Sequence, residues 1–133
     1  MADFAATLAV AASGMEAQSM RLRYISENVA NADTPGYRRK IAPFEAALDG
    51  AASEGAPGGV ALGDVTLDPA DLTRVYDPGN PLAGPDGSYD GSNVDMVVEL
   101  QDAREAQRSY EANLKLLDQA RQMSQGLLEL LRR

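Results

Sequence analysis

The sequence of 133 residues contains no cysteine, no histidine and no tryptophan. The absence of cysteine excludes disulfides and thiolate chemistry, although it does not fix the cellular compartment. The absence of histidine removes the commonest metal ligand and the usual general base near neutral pH. The sequence also has no uninterrupted apolar run of roughly 18 residues, so we expect no membrane-spanning helix.

An extended stripe of basic residues is missing as well, although the chain carries a large net charge. The net charge of −8 comes from the middle of the chain, because residues 41–93 hold one basic and nine acidic side chains. Residues 1–40 hold five basic and four acidic groups, and residues 94–133 hold six and seven. A nucleic-acid surface needs clustered Lys and Arg to displace counterions. We therefore expect no nucleic-acid partner.

Residues 4–29 have apolar side chains at alternating spacings of three and four. Seven of the eight seam positions are apolar, and the full set is Phe4, Leu8, Ala11, Met15, Gln18, Leu22, Ile25 and Val29. This pattern predicts a long amphipathic helix with a coiled-coil seam. The polar Gln18 is expected to set the register of the seam. Gly14 either is a tolerated weakness or marks a close helix crossing.

The apolar run Phe4–Ala12 is superficially similar to a secretory signal peptide. A signal peptide begins with a basic region, whereas the only charge here is Asp3. The heptad pattern also continues through the supposed cleavage point. We expect no cleaved signal peptide.

The first helix is expected to stop at a turn motif formed by Asn28, Asn31, Thr34, Pro35, Gly36 and Tyr37. Asparagine side chains compete for local backbone groups and are poor in a helix interior. Residues 34–37 predict a type II turn, because Pro35 fixes φ at the second position and Gly36 supplies a positive φ at the third.

A short basic run follows the turn and consists of Arg38, Arg39 and Lys40. These side chains are either a solvated loop or a salt-bridge patch for the acidic middle of an adjacent subunit. In the second case, added salt should weaken assembly.

Residues 41–93 hold nine of the 12 glycines and six of the seven prolines. This density excludes a helix and favours short strands and turns. We expect a β-hairpin between residues 60–67 and 72–76, turning at residues 68–71, with residues 50–59 as a loop tip. Its apolar side chains are too few for an independent core, so the region must pack on another element.

Residues 94–131 predict a second long helix. Asn93 is a plausible N-cap, with Asp95 in the first turn. Tyr110 is expected in the core, and Asn113 is expected to set register. The apolar stripe comprises Leu100, Ala103, Tyr110, Leu114, Leu117, Ala120, Leu127 and Leu131.

Metal and catalytic sites are not expected. The segment Asp86-Gly-Ser-Tyr-Asp90-Gly91 begins like a calcium loop, but Val97 occupies the twelfth position, where a bidentate acid is required. The carboxylates have no apolar pocket around them that would favour acid–base chemistry. We therefore expect no cofactor, no metal and no enzyme activity.

The expected fold is mainly α, with two long terminal helices in antiparallel coiled-coil-like contact and a small β-hairpin and loop region in the middle. Residues 1–33 and 94–133 would form one helical domain, and residues 34–93 the middle region. Because the predicted helices differ in length, roughly 40 Å against nearly 60 Å, an apolar overhang should need contacts from other subunits.

Residues 13–18 and 28–40 together resemble the N-terminal signature of bacterial flagellar rod and hook proteins. The segments Val75-Tyr-Asp-Pro-Gly-Asn-Pro81, Ser92-Asn-Val-Asp-Met96 and Ala106–Asn113 are similar, in order and spacing, to the short basal-body rod members of that family. Ser92 departs from the family pattern, in which a proline often precedes Asn-Val.

The resemblance implies a non-catalytic building block of the proximal rod that transmits torque and lines an export channel. Implied partners are other copies of the chain, other rod proteins in a helical assembly, the flagellar export apparatus and basal-body ring components. The implied location is the periplasmic rod, reached without a cleaved signal. A cytosolic coiled-coil adaptor or export chaperone is the alternative.

Surfaces that would serve assembly are the apolar and register positions of both helices. These are Phe4, Leu8, Met15, Leu22, Ile25, Val29, Leu100, Tyr110, Asn113, Leu114, Leu117, Leu127 and Leu131.

Overall fold

A computed structural model of the chain describes residues 2–46 and 59–132. Two long helices account for most of this part of the chain, and they are α1 (Ala2–Ala30) and α2 (Met96–Arg132). Six short strands lie between them: β1 (Lys40–Ile41), β2 (Phe44–Ala46), β3 (Val60–Leu62), β4 (Thr66–Leu67), β5 (Arg74–Tyr76) and β6 (Ser88–Asp90). The mainly helical fold class is confirmed.

The two helices pack against each other in antiparallel orientation. Asn28 near the end of α1 contacts Glu99 near the start of α2, and Gly14 lies against Asn113 further along. With 29 and 37 residues, the helices are about 43 and 55 Å long. The same register places Ala2 opposite about residue 125, so the last turns of α2 extend past α1.

Small and polar side chains fill the contact between the helices. The buried apolar residues of the described chain are Ala11, Ala17, Ile25, Ala106 and Ala120. The face of α2 turned towards α1 follows heptad spacing through residues 99, 103, 106, 110, 113, 117, 120 and 124. Leu100 and Leu114 from the expected stripe are outside this contact, and both are exposed.

The strands form two antiparallel hairpins rather than the predicted one. Strands β1 and β2 pair with β4 and β3 respectively, in the register Lys40↔Leu67 and Phe44↔Leu62, so one hairpin runs from residue 40 to residue 67. Strand β5 pairs with β6. The predicted pairing of residues 60–67 with 72–76 is therefore wrong, because residues 40–46 supply the partner strand.

The first hairpin packs on α1, as expected for a region without its own core. The backbone N–H of Val60 donates to Ser13 Oγ at 3.0 Å, and the guanidinium of Arg21 lies 5.3 Å from the ring centroid of Phe44. Residues 50–58 of the expected loop tip lie outside the described residues. Neither described helix combines the length and apolar character needed to cross a bilayer.

Candidate functional site

Two buried polar side chains connect the end of α1 to the start of α2. Glu99 is 0% exposed and Asn28 is 1% exposed. Asn28 Nδ2 lies 3.4 Å from both carboxylate oxygens of Glu99 and donates to the carbonyl of Lys40 at 3.1 Å. Asn28 Oδ1 accepts from the Tyr37 hydroxyl and the Lys40 N–H, both at 2.9 Å. Every donor and acceptor of the Asn28 amide is thus used.

Arg39 supplies the positive charge that the buried carboxylate requires. Its Nε donates to Glu99 Oε1, and one terminal nitrogen donates to Asp102 Oδ2 at 3.1 Å. The other terminal nitrogen lies 3.6 Å from Asp68 Oδ2. Burial alone would lower the pKa of Arg39, but the hydrogen bond to Glu99 and the three nearby carboxylates raise it. Arg39 is therefore not a solvated loop residue.

We call this cluster the polar clamp, and its members are Asn28, Tyr37, Arg39, Lys40, Glu99 and Asp102. It fixes the turn after α1 onto the first turns of α2, because each member bonds to a residue of another segment. Burial raises the pKa of the Tyr37 hydroxyl, which stays neutral as a donor.

Lys40 and Arg38 also find partners within the chain. Lys40 Nζ lies 2.7 Å from Glu27 Oε2, and this hydrogen bond lowers the pKa of Glu27 and raises that of Lys40. Arg38 donates to the carbonyls of Asp68 and Ala70 at 3.1 and 3.0 Å. The contact of this basic run with an adjacent subunit stays a prediction.

Asn93 ties the loop before α2 to the turn instead of capping the helix. Its Oδ1 accepts from the Arg39 backbone N–H at 2.6 Å, and its Nδ2 donates to the Asp68 and Ala70 carbonyls. The N-cap is Asp95, whose Oδ1 accepts from the Val97 N–H at 3.0 Å. The prediction that Asn93 caps α2 is thus wrong, because its side chain forms hydrogen bonds with these loop groups instead.

The turn motif has the conformation that its residues predict. Gly36 has φ of 75°, and the Tyr37 N–H donates to the Thr34 carbonyl at 3.2 Å, as a type II turn requires. Asn31 Nδ2 donates to the Glu27 carbonyl at 2.8 Å, at the C-terminus of α1. The turn also docks on the β6 end, where the Gly36 N–H donates to the Gly91 carbonyl at 3.0 Å.

Gly14 marks a close approach of the two helices. A Cβ added at Gly14 would lie 2.9 Å from Asn113 Nδ2, closer than van der Waals contact allows. Gln18, also expected to set register, has a buried Oε1 without a hydrogen-bond partner in the part of the chain that the structure describes. The roles of Gln18 and Asn113 in setting register stay predictions.

The expected assembly residues fall into two groups. Those that are buried or half-buried in the fold are Phe4, Leu8, Met15, Leu22, Ile25, Tyr110, Asn113 and Leu117. Those that are exposed are Val29, Leu100, Leu114, Leu127 and Leu131. The second group includes Leu127 and Leu131, which continue the heptad seam of α2 past the start of α1.

Glu99 and Asp102 were missed by sequence reasoning. The signal was available, because Glu99 lies at seam spacing before Ala103 and Ala106, where a charge is unfavourable without a buried partner. An arginine 60 residues away along the chain supplies that partner.

Two family models match the chain, and each match includes part of the clamp. "Flagella basal body rod protein" matches residues 8–38, and "Flagellar basal body rod FlgEFG protein C-terminal" matches residues 86–130. The first match contains Asn28 and Tyr37 and the second contains Glu99 and Asp102, so the clamp joins the two matched segments.

Flagellar basal-body rod proteins named FlgC align over most of the chain. The flagellar basal-body rod protein FlgC of Agrobacterium fabrum is 41% identical over 99% of this chain and 98% of the relative. FlgC of Escherichia coli O157:H7 is 39% identical over 86% and 87%, and FlgC of Bacillus subtilis is 33% identical over 93% and 95%. The chain therefore belongs to the FlgC family of flagellar basal-body rod proteins and is a structural component of the rod.

Proposed function

We propose that this chain is a subunit of the proximal rod that assembles through the apolar side chains its own helix pair leaves exposed. Its partners would be further copies, other rod proteins, the export apparatus below and basal-body ring components around it. Its place would be the periplasmic rod, reached by flagellar export without a cleaved signal. Because the chain belongs to the FlgC family, we set aside the alternative of a cytosolic coiled-coil adaptor or export chaperone.

The exposed leucines of α2 carry this proposal. Leu131 is 82% exposed and Leu100 is 54% exposed, although both lie on a helix that already has a packing partner. Burying a leucine fully contributes about 1.5–3 kcal/mol. Contiguous exposed apolar surface on a folded chain marks a contact site. A neighbouring subunit would supply the missing cover.

The polar clamp supports a role in transmitting force. It joins the segment after the turn to both helices through hydrogen bonds and ion pairs, so a force applied to the middle region would reach the helix pair. We propose that torque passes through this junction.

An aqueous channel wall needs polar side chains, and α2 has a face that offers them. Its exposed residues at heptad spacing on the side away from α1 are Gln101, Arg108, Lys115 and Gln122. This face is our candidate for the lining of an export channel.

We propose no catalytic role. The most deeply buried carboxylate, Glu99, already accepts hydrogen bonds from Arg39 and Asn28. These contacts give the carboxylate a structural role within the clamp.

The experiment replaces the natural chain in a flagellated bacterium with a Leu127→Glu, Leu131→Glu variant. We expect loss of swimming and of rods in cellular tomograms, because two charges would be placed in a subunit contact. The matched control is Gln119→Glu, an exposed position on the same helix that is not part of the candidate channel face, which should swim normally. Normal rods in the double variant, with its production confirmed by immunoblot, would overturn assembly through these leucines.

A further inference from the structure

An apolar groove lies at the clamp end of the helix pair. It has a volume of about 290 Å³ and is formed by the last turns of α1 and the first turns of α2. We call it the end groove, and its apolar lining is Ile25, Val29, Met96, Val97, Leu100 and Ala103. Val97 is 67% exposed. Glu99 also borders the groove, but the clamp holds its carboxylate.

A second apolar surface lies at the opposite end of the molecule. We call it the leucine tail, and it comprises Leu127, Leu128, Leu130 and Leu131. All four side chains are more than half exposed. They belong to the part of α2 that extends past the start of α1, so α1 does not cover them.

We propose that the leucine tail of one copy docks in the end groove of a second copy, head to tail. This inference rests on the proposed function, because it names one of the contacts through which the rod subunit would assemble. The two surfaces lie at opposite ends of one antiparallel helix pair, so in the head-to-tail arrangement, where both copies point the same way, each dimer keeps one free tail and one free groove. A heterologous contact of this kind repeats along an open helical assembly.

The heptad pattern identifies a second copy as the occupant. Leu127 and Leu131 continue the α2 seam that packs on α1 elsewhere in the chain, but no part of α1 is opposite them. Ile25 and Val29 are the last seam positions of α1, and Val29 is still exposed. Contact between the tail of one copy and the groove of another would therefore pair α2 seam residues with α1 seam residues, as the helix contact within one chain already does.

Charge is complementary as well. Asp95 is exposed next to the α2 wall of the groove, and Arg132 is exposed in the last turn of the tail. Opposite charges at the rim of a contact favour the correct orientation and are screened by salt.

The test uses two single variants of the full chain, Val97→Glu in the groove and Leu131→Glu in the tail. Each should weaken self-association, measured by sedimentation velocity, by roughly tenfold or more, because each places a charge in an apolar contact. Matched controls are Gln101→Glu and Gln122→Glu on the outer face of α2, which should associate like the natural chain. Circular dichroism checks that all four variants fold.

Mixing the two variants separates head-to-tail docking from other arrangements. Val97→Glu keeps an intact tail and Leu131→Glu keeps an intact groove, so an equimolar mixture should form one-to-one dimers and stop there. A tail-to-tail contact would instead leave Val97→Glu associating normally and give no recovery on mixing, which would overturn the proposal.

Failure of this inference is distinguishable from failure of the proposed function. If the natural chain stays monomeric at every concentration while the Leu127→Glu, Leu131→Glu variant loses its rods in cells, the tail binds a different rod protein. That result would overturn docking between copies and leave the structural role in the rod intact.

Discussion

The two ends of the helix pair are stabilised in different ways. At the clamp end, a buried carboxylate, an amide and a guanidinium join both helices to the turn between them. At the tail end, α2 extends past α1 and carries leucines that nothing in the described chain covers. The polar groups at the first end are paired within the chain itself, whereas the leucines at the second end have no packing partner in the described residues.

This difference explains why a chain with long apolar helices has so small a core. In the described residues, the fully buried apolar side chains are four alanines and one isoleucine, because alanine permits close approach of the two helices. Leu8, Leu22 and Leu117 are half-buried, whereas most leucines of α2 are exposed. Internal packing thus relies largely on polar contacts and small residues, and much of the bulky apolar surface is left for neighbours.

The largest effect is expected from Arg39→Leu. Removing the guanidinium leaves the buried carboxylate of Glu99 unpaired, which should lower the free energy of unfolding by about 3 kcal/mol. Urea unfolding of the dilute monomer measures this change in the free energy of unfolding. The control is Arg74→Leu, which removes exposed ion pairs to Asp86 and Asp90 and should change the free energy of unfolding much less, because solvent screens exposed ion pairs. Equal losses would contradict the structural role of the clamp.

A second comparison truncates one apolar side chain at each end. Ile25→Ala removes a buried side chain beside the clamp and should cost about 2–3 kcal/mol of unfolding free energy. Leu131→Ala in the tail should change it by less than about 0.5 kcal/mol, because the side chain is exposed in the monomer. A large loss for Leu131→Ala would show that the tail packs within its own chain.

The close helix crossing is tested by Gly14→Val. The added side chain would meet Asn113 and push the helices apart, at a cost of about 1–2 kcal/mol beyond its effect on helix propensity. Gly126→Val, at a helical glycine of α2 where an added Cβ would meet no atom within 4 Å, measures the propensity effect of the same substitution without crowding. The difference in thermal midpoint between the two variants measures the destabilisation caused by crowding at Gly14. Equal midpoints would exclude a close crossing.

The smallest effect concerns the half-buried ion pair of Glu27 with Lys40. Because the pKa of Glu27 is lowered from 4.5 in the folded state, its stabilising contribution is fully present above pH 4.5 and disappears as the pH falls through the lowered value. The natural chain should therefore lose its small advantage over Glu27→Gln in acid. Unfolding midpoints measured between pH 7 and pH 2 would show this convergence, and a constant gap would refute it.

Some of these features follow from local sequence and others do not. Heptad spacing predicted both helices, and the Pro35-Gly36 pair predicted the turn, because each is set by neighbouring residues. The partner of β3 and β4 was missed because strand pairing depends on distant segments. Strands β1 and β2 are also only two and three residues long, and Pro43 lies between them. The clamp was missed for the same reason, since Arg39 and Glu99 meet only after the helices pack.

The stripe of α2 shows a further limit of sequence patterns. Leu100 and Leu114 lie near heptad positions, so the pattern placed them with the seam residues. Packing against α1 turns Ala106, Asn113 and Leu117 inward instead, because these residues lie on the heptad face that continues from Glu99. The division of residues 1–33, 34–93 and 94–133 into domains stays a prediction.

Amide hydrogen exchange of the dilute monomer tests the contrast between the two ends most directly. We expect slow exchange in α2 around residues 99–106, where the clamp and Ala106 are buried, and fast exchange over residues 125–132, where helix hydrogen bonds lack tertiary cover. Uniform slow exchange along all of α2 would contradict the account, because it would mean that the leucine tail is already covered without a second subunit.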